Sequence, residues 1–268
     1  MLDYHVRFGM EYNPFLKNAK EILYESNEFK EVLTRLNILL TTRGFGVLTG
    51  TPGKGKTTAI RTWTKTLNPS LYKVVYSSLS TLTVVEFYRS LASNLGLEPK
   101  YRKPDNFKQI QDEITRYSVE KRITPVIVID EANHISNATL TDLKILFNFE
   151  MDSRDRAIVL LSGLPELNYK LKLGIHEALQ QRITVSYNIE GYSKEESKEY
   201  IQRKLQGVRC ARQVFDDGAM DALANAAGGI PRLLNKLANA SLLIASSQNL
   251  DTVNADIIGQ AVLDTELS

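Results

Sequence analysis

Gly50-Thr-Pro-Gly-Lys-Gly-Lys-Thr-Thr58 follows a short apolar run, Phe45–Leu48, and precedes a helical pattern near residues 57–67. A strand, a glycine-rich turn and a helix in that order admit few folds. The glycines let successive backbone N–H groups turn inward as an anion cradle, and the helix that starts there adds its positive end. Lys56 contributes a point charge for the outer phosphates, and the Thr57 hydroxyl is a ligand for a hard cation. The spacing from Gly50 through four residues to Gly55-Lys56-Thr57 is a full phosphate loop. Gly50, Thr51, Pro52, Gly53, Lys54, Gly55, Lys56, Thr57 and Thr58 are therefore candidate nucleotide contacts, and the implied cofactors are ATP and Mg²⁺.

A second apolar run, Val126–Ile129, ends in Asp130-Glu131. A buried strand delivering a carboxylate at its C-terminal end suits Asp130 to holding Mg²⁺ through water, alongside Thr57. Glu131 beside it is placed to polarise an attacking water as general base. An acidic pair downstream of a phosphate loop favours cleavage by water over transfer to another acceptor. The run Ile158–Leu161 ends in Ser162-Gly163. If the phosphate-loop strand and the Asp130 strand flank it, Ser162 is placed to orient the water or sense the terminal phosphate. The alternative is that Ser-Gly merely turns the chain.

Further runs, Lys73–Tyr76 and Thr184–Ile189, alternate with helical patterns near 83–95, 106–120, 139–149 and 175–182. Strands alternating with helices predict a five-stranded parallel α/β sheet covered by helices on both faces. Past about Gly191 only helices are expected: Ser193–Gln206, Asp216–Ala227, Pro231–Ser247 and Asn254–Leu263. Ser193 and Glu196 form a capping box at the first of them. The predicted organisation is an aromatic strap over residues 1–27, a nucleotide-binding α/β domain over 28–191 and a small helical lid over 192–268.

With 33 basic and 31 acidic side chains, the net charge of +2 leaves no bulk field for nucleic acid, so such binding would need a local basic surface. A single cysteine, Cys210, and the lack of an 18-residue apolar run or a signal-like N-terminus point to the cytoplasm and to no membrane partner. Three histidines without a second ligand nearby support no metal other than the nucleotide's Mg²⁺.

Four features together resemble the AAA+ superfamily: Gly50–Thr58, Val126–Glu131, Gln181-Arg182-Ile183 after a helix, and Gly228-Gly229-Ile230-Pro231-Arg232 in the terminal helices. The opening Phe8-Gly-Met-x-x-Asn-Pro-Phe15 looks like that of the ExeA-type ATPases, a branch that includes transposition regulators of the TnsC, TniB and MuB kinds. The resemblance implies that Arg232 folds the lid onto the γ-phosphate of its own subunit. It implies that Arg182 reaches the ATP of a neighbouring subunit as a trans arginine, with Arg154 and Arg156 as rival candidates. Asn13-Pro14-Phe15 would lie over the adenine, which is compatible with the plain alternative of an apolar strap packing the helix of Phe29–Leu40. Loops ahead of two helices would face a ring's channel. Thr81, in Ser80-Thr81-Leu-Thr83, and Arg102 and Lys103, in Lys100-Tyr-Arg-Lys, would then touch DNA phosphates without reading sequence. Lys121-Arg122 is a weaker candidate, and a solvated charge run is the plain alternative.

The expectation that follows is an ATPase that forms a ring or helical filament on double-stranded DNA, with ATP at the interface between copies. It would recruit a transposase, and hydrolysis would release the assembly. The rival expectations are an ExeA-like ATPase of secretion or cell-envelope assembly, a relative of replication initiators and loaders, and a non-hydrolysing scaffold. An envelope ATPase is expected to continue into a membrane helix and a wall-binding domain, and the reading places the lid last.

Overall fold

The computed structural model describes residues 4–78 and 81–265. In chain order the α-helices and strands are α1 (Tyr4–Arg7), α2 (Asn27–Thr42), β1 (Gly44–Gly50), α3 (Lys56–Thr66), β2 (Tyr72–Ser77), α4 (Val84–Asn94), α5 (Lys103–Thr115), β3 (Thr124–Ile129) and α6 (Asn137–Leu146). They continue with β4 (Ile158–Gly163), α7 (Glu166–Leu171), α8 (Glu177–Gln180), β5 (Ile183–Ile189), α9 (Lys194–Gly207), α10 (Asp217–Ala227), α11 (Pro231–Ser247) and α12 (Ala255–Thr265).

The five strands form one sheet in the order β2-β3-β4-β1-β5, with every pairing parallel. Each strand returns through a helical crossover, the connection that parallel neighbours require. The inner strands β1, β3 and β4 are buried at every position, whereas the edge strands β2 and β5 mix buried and exposed positions. The sequence carries the same distinction: Val126–Ile129 is continuously apolar, and Ile-Thr-Val-Ser-Tyr-Asn-Ile in β5 alternates. β4 lies between the strand leading into the phosphate loop and the strand ending at Asp130, the arrangement that the reading of Ser162 needed.

The chain divides into two compact units. One is Glu31–Pro52 with Lys56–Ile189. The other gathers the N-terminal residues up to Lys30, the tripeptide Gly53–Gly55 and the chain from Glu190 onward. The core of the sheet unit is built by Phe45, Ile127, Ile129, Val159 and Leu161 from the strands with Leu91, Ile110 and Leu143 from the helices. Local signals start its helices: Thr83 and Glu86 form a capping box on α4, and the Ser136 side chain accepts the Thr139 N–H at α6.

In the second unit the expected capping box of Ser193 and Glu196 opens α9, and Asp216 caps α10. Phe8, Met10 and Phe15 are buried in this unit's core beside Phe215, Leu223, Leu237 and Ile257. The Phe15 ring meets Phe215 edge-on at 6.3 Å. The aromatic opening is thus part of the helical core. Its rings need more apolar surface than one amphipathic helix offers, and α9–α12 supply it.

Candidate active site

In the sheet unit, β1 runs into the glycine-rich loop and α3 begins at Lys56. Lys56 is buried, and its Nζ donates to the carbonyls of Gly50 at 2.6 Å and Thr51 at 3.3 Å. Asp130 leaves the end of β3, where its N–H donates to the Ser77 carbonyl at 2.9 Å and extends the pairing with β2 by one residue. Asp130 is 4% exposed, and its carboxylate collects four donors. Oδ1 accepts Ser162 Oγ at 2.8 Å and the Glu131 N–H at 3.0 Å. Oδ2 accepts Tyr76 Oη at 2.7 Å and Thr57 Oγ1 at 3.1 Å. Burial, and after it the bond to Asp130, push the Tyr76 phenol well above its ordinary pKa.

Glu131 is exposed and has a left-handed backbone, φ 51° and ψ 36°. The short 3-10 turn Ala132–His134 follows it, with the His134 N–H donating to the Glu131 carbonyl at 3.0 Å. Asn133 ties this turn to the end of β4, its Oδ1 accepting the Leu164 N–H at 3.0 Å. Lys170 of α7 closes the same region by donating to the carbonyls of Asn133 at 2.9 Å and Ile135 at 2.6 Å.

The loop and its surroundings fit a magnesium-bound polyphosphate. Thr51 Oγ1 is buried and makes no hydrogen bond, and a Cβ built on Gly55, at φ +95°, would meet nothing within 4 Å. An ammonium, a hydroxyl and a carboxylate, with backbone N–H groups at a helix start, are donors and ligands of the right kinds. Thr57 and Asp130 are the residues able to hold the cation, and Lys56 the one able to meet the phosphates.

In the second unit Gly53, at φ +82°, accepts the Arg232 N–H at 3.4 Å. A Cβ at position 53 would come within 2.8 Å of the Arg232 Cβ, so this approach requires glycine. Asn13 and Phe15 are both 4% exposed. Asn13 Nδ2 donates to Tyr4 Oη at 2.6 Å and Asn239 Oδ1 at 2.7 Å, while its Oδ1 accepts the Phe15 N–H at 2.9 Å. Both side chains are committed to the helical core, which corrects the expectation that they lie open to a base.

Arg182 also differs from expectation. Its guanidinium donates to the carbonyls of Lys144 at 3.1 Å and Phe147 at 2.9 Å, pairs with Asp155 at 3.0 Å and lies over the Phe45 ring at 5.4 Å. At 12% side-chain exposure it ties the end of α6 to β1 and is not extended toward a neighbour. Arg154 is 75% exposed and pairs with Glu150, and Arg156 pairs with the same carboxylate.

Of the DNA candidates, Thr81 and Arg102 are exposed, and Tyr101 between the basic residues is 88% exposed. Lys103 instead pairs with Asp142 at 2.5 Å and lies over the Tyr88 ring. Ser80 is outside the described residues. Sequence reasoning missed Tyr76, Asn133 and Lys170 altogether. Only the register of β2 against β3 discloses the first, because Tyr76 pairs with Val128 and so shares a face with Asp130 two residues on.

Residues 39–171 match the sequence family described as an AAA domain. Over 243 residues the chain is 31% identical to general secretion pathway protein A of Aeromonas hydrophila, covering 89% of this chain and 44% of that protein. The chain therefore spans less than half the length of that relative. Its fold is similar to a chain of Drosophila ORC bound to DNA, with a TM-score of 0.71 at 15% identity over 99% of this chain and 66% of that one. It is also similar to the Aeropyrum pernix ORC2 protein in its ADPNP-ADP complexes, with a TM-score of 0.65 at 16% identity over 95% of this chain and 71% of that one. The likenesses establish the AAA-type parallel sheet with a helical C-terminal part, and the sequence match supports the ExeA-like resemblance. A kinship with transposition regulators is not among what they carry.

Proposed function

From a chain whose residues 39–171 match an AAA domain, we propose a Mg²⁺-dependent ATPase whose nucleotide state governs its assembly with copies of itself. The observation that carries the reading is the Asp130 carboxylate, which receives Thr57 from the phosphate loop, Ser162 from β4 and the N–H of Glu131. Lys56, now on its loop carbonyls, would meet the outer phosphates. Thr57, which donates to Asp130 Oδ2, would be the hydroxyl that holds the ion. Bound Mg²⁺ supplies charge that offsets the phosphates. Ser162 holds Asp130 Oδ1, and Glu131 accepts a proton from water at its exposed carboxylate. By the sequence resemblance alone, Arg232, whose N–H meets Gly53 within the second unit, would act on the γ-phosphate. The test is Glu131→Gln: nucleotide should still bind while turnover falls by about a hundredfold or more. Turnover at the wild-type rate would remove Glu131 as the base.

At the level of partners, the 31% identical relative favours an ExeA-like role in secretion or envelope assembly, by its name and its coverage of this chain. A second reading, assembly on double-stranded DNA, is favoured by the exposed Tyr101 and Arg102 and by the fold likeness to a DNA-bound protein. The transposition form of that reading, with a transposase as partner, rests on the sequence resemblance alone. Hydrolysis and sedimentation with and without duplex DNA separate the two. DNA that changes neither would leave the secretion-type role.

A further inference from the structure

Tyr76 is on β2, an edge strand, and 45% of the residue faces solvent. Its hydroxyl nevertheless reaches the nearly buried Asp130 carboxylate at 2.7 Å, the shortest of the four bonds that carboxylate receives. Tyr76 and Thr57 donate to the same oxygen, Oδ2. A carboxylate on a single Cβ–Cγ axis turns easily, and two donors on one oxygen with two on the other occupy its four lone-pair sites and fix its plane. Oδ1 is held by Ser162 and by the Glu131 N–H. Tyr76 reaches Oδ2 from the adjacent strand β2.

We propose that Tyr76 is a positioning residue for Mg²⁺: its phenol holds Asp130 Oδ2 in the orientation at which it accepts Thr57, the hydroxyl that would meet the ion. The inference rests on the reading of Asp130 as the magnesium-side carboxylate. It concerns ion binding and not the proton transfer assigned to Glu131.

Nucleotide affinity measured with a fluorescent ATP analogue, in Mg²⁺ and in EDTA, tests it on wild type, Tyr76→Phe, Asp130→Asn and the double variant. Loss of one charge-assisted hydrogen bond should lower the magnesium-dependent enhancement of affinity about tenfold in Tyr76→Phe and leave the affinity in EDTA unchanged. In the Asp130→Asn background the further change Tyr76→Phe should do nothing, since the carboxylate it acts through is gone. Equal enhancement in wild type and Tyr76→Phe would overturn the proposal. So would a loss that persists in the Asp130→Asn background or appears equally in EDTA, because a merely structural role or a direct nucleotide contact behaves that way. Wild type that binds nucleotide without any effect of Mg²⁺ would refute the underlying reading of Asp130, and the Tyr76 role with it.

Discussion

Replacing Arg182 by alanine tests whether this side chain is a tie within the sheet unit or a group reserved for another subunit. Two hydrogen bonds from a charged donor to the carbonyls of Lys144 and Phe147 are worth about 1.5 kcal/mol each. The Asp155 carboxylate is 37% exposed, so that pair adds only about 0.5 kcal/mol. The Phe45 face adds a similar amount, about 0.5 kcal/mol. Removing the side chain should therefore cost about 3–4 kcal/mol, since water reaches part of what is left behind. At about 2–4 °C per kcal/mol for a domain of this size, the melting temperature should fall by about 10 °C. Arg182→Lys keeps the charge but cannot fork to two carbonyls and a carboxylate at once, and should recover less than half of the loss. Differential scanning fluorimetry of the protein without nucleotide reads both. If Arg182→Ala melts within about 2 °C of wild type while hydrolysis in the assembled protein collapses, the structural assignment is refuted and the residue is a trans arginine.

Ser162→Ala removes a buried donor from Asp130 and should slow hydrolysis about tenfold with little change in nucleotide affinity, as steady-state rates and equilibrium binding will tell. Gly229→Ala should destabilise the helical unit by more than about 3 kcal/mol in urea unfolding, because φ is +72° and the added Cβ would lie 2.2 Å from the Tyr192 carbonyl oxygen. His176 is 1% exposed, and burial, followed by the charge of Lys170, lowers its pKa below the usual value. The unfolded chain then binds a proton that the folded one resists. The stability this contributes is complete above the unfolded value near 6.5 and is lost as pH falls through the lowered one. The melting temperature of wild type should fall more between pH 7 and pH 5 than that of His176→Asn.

The parts of the site legible in the sequence are those whose chemistry is local. The phosphate loop is one continuous nonapeptide, and Asp130-Glu131 closes an uninterrupted apolar strand, so spacing and hydropathy suffice. Ser162 needed one further fact, the place of β4 between β1 and β3, which the sheet supplies. Tyr76 was hidden because its role depends on which residue of the next strand it opposes, and Tyr is an ordinary occupant of an edge strand. Helix α7 was missed because six residues with two buried leucines, Leu167 and Leu171, carry too little period to stand out from a loop. The resemblance assigns Arg182 to a neighbour's ATP because a sequence shows a charge and not its acceptors, here two carbonyls at the end of α6 whose positions only packing decides. Asn13 and Phe15 are misplaced for a related reason: their partners Asn239 and Phe215 lie two hundred residues or more away.

The left-handed backbone at Glu131 has a consequence for any effort to harden this protein against heat. A side chain other than glycine in that conformation costs roughly 1–2 kcal/mol, held here by the bonds of the turn around it. Glu131→Gly would relieve the strain, and should melt no lower than wild type while losing the proposed chemistry. Screens that reward thermal endurance alone would then favour inactive chains at this position, whereas screens that reward turnover would keep the strained residue. A library randomised at position 131 and sorted both ways should diverge, with glycine, asparagine and aspartate rising under heat and glutamate alone surviving selection for hydrolysis.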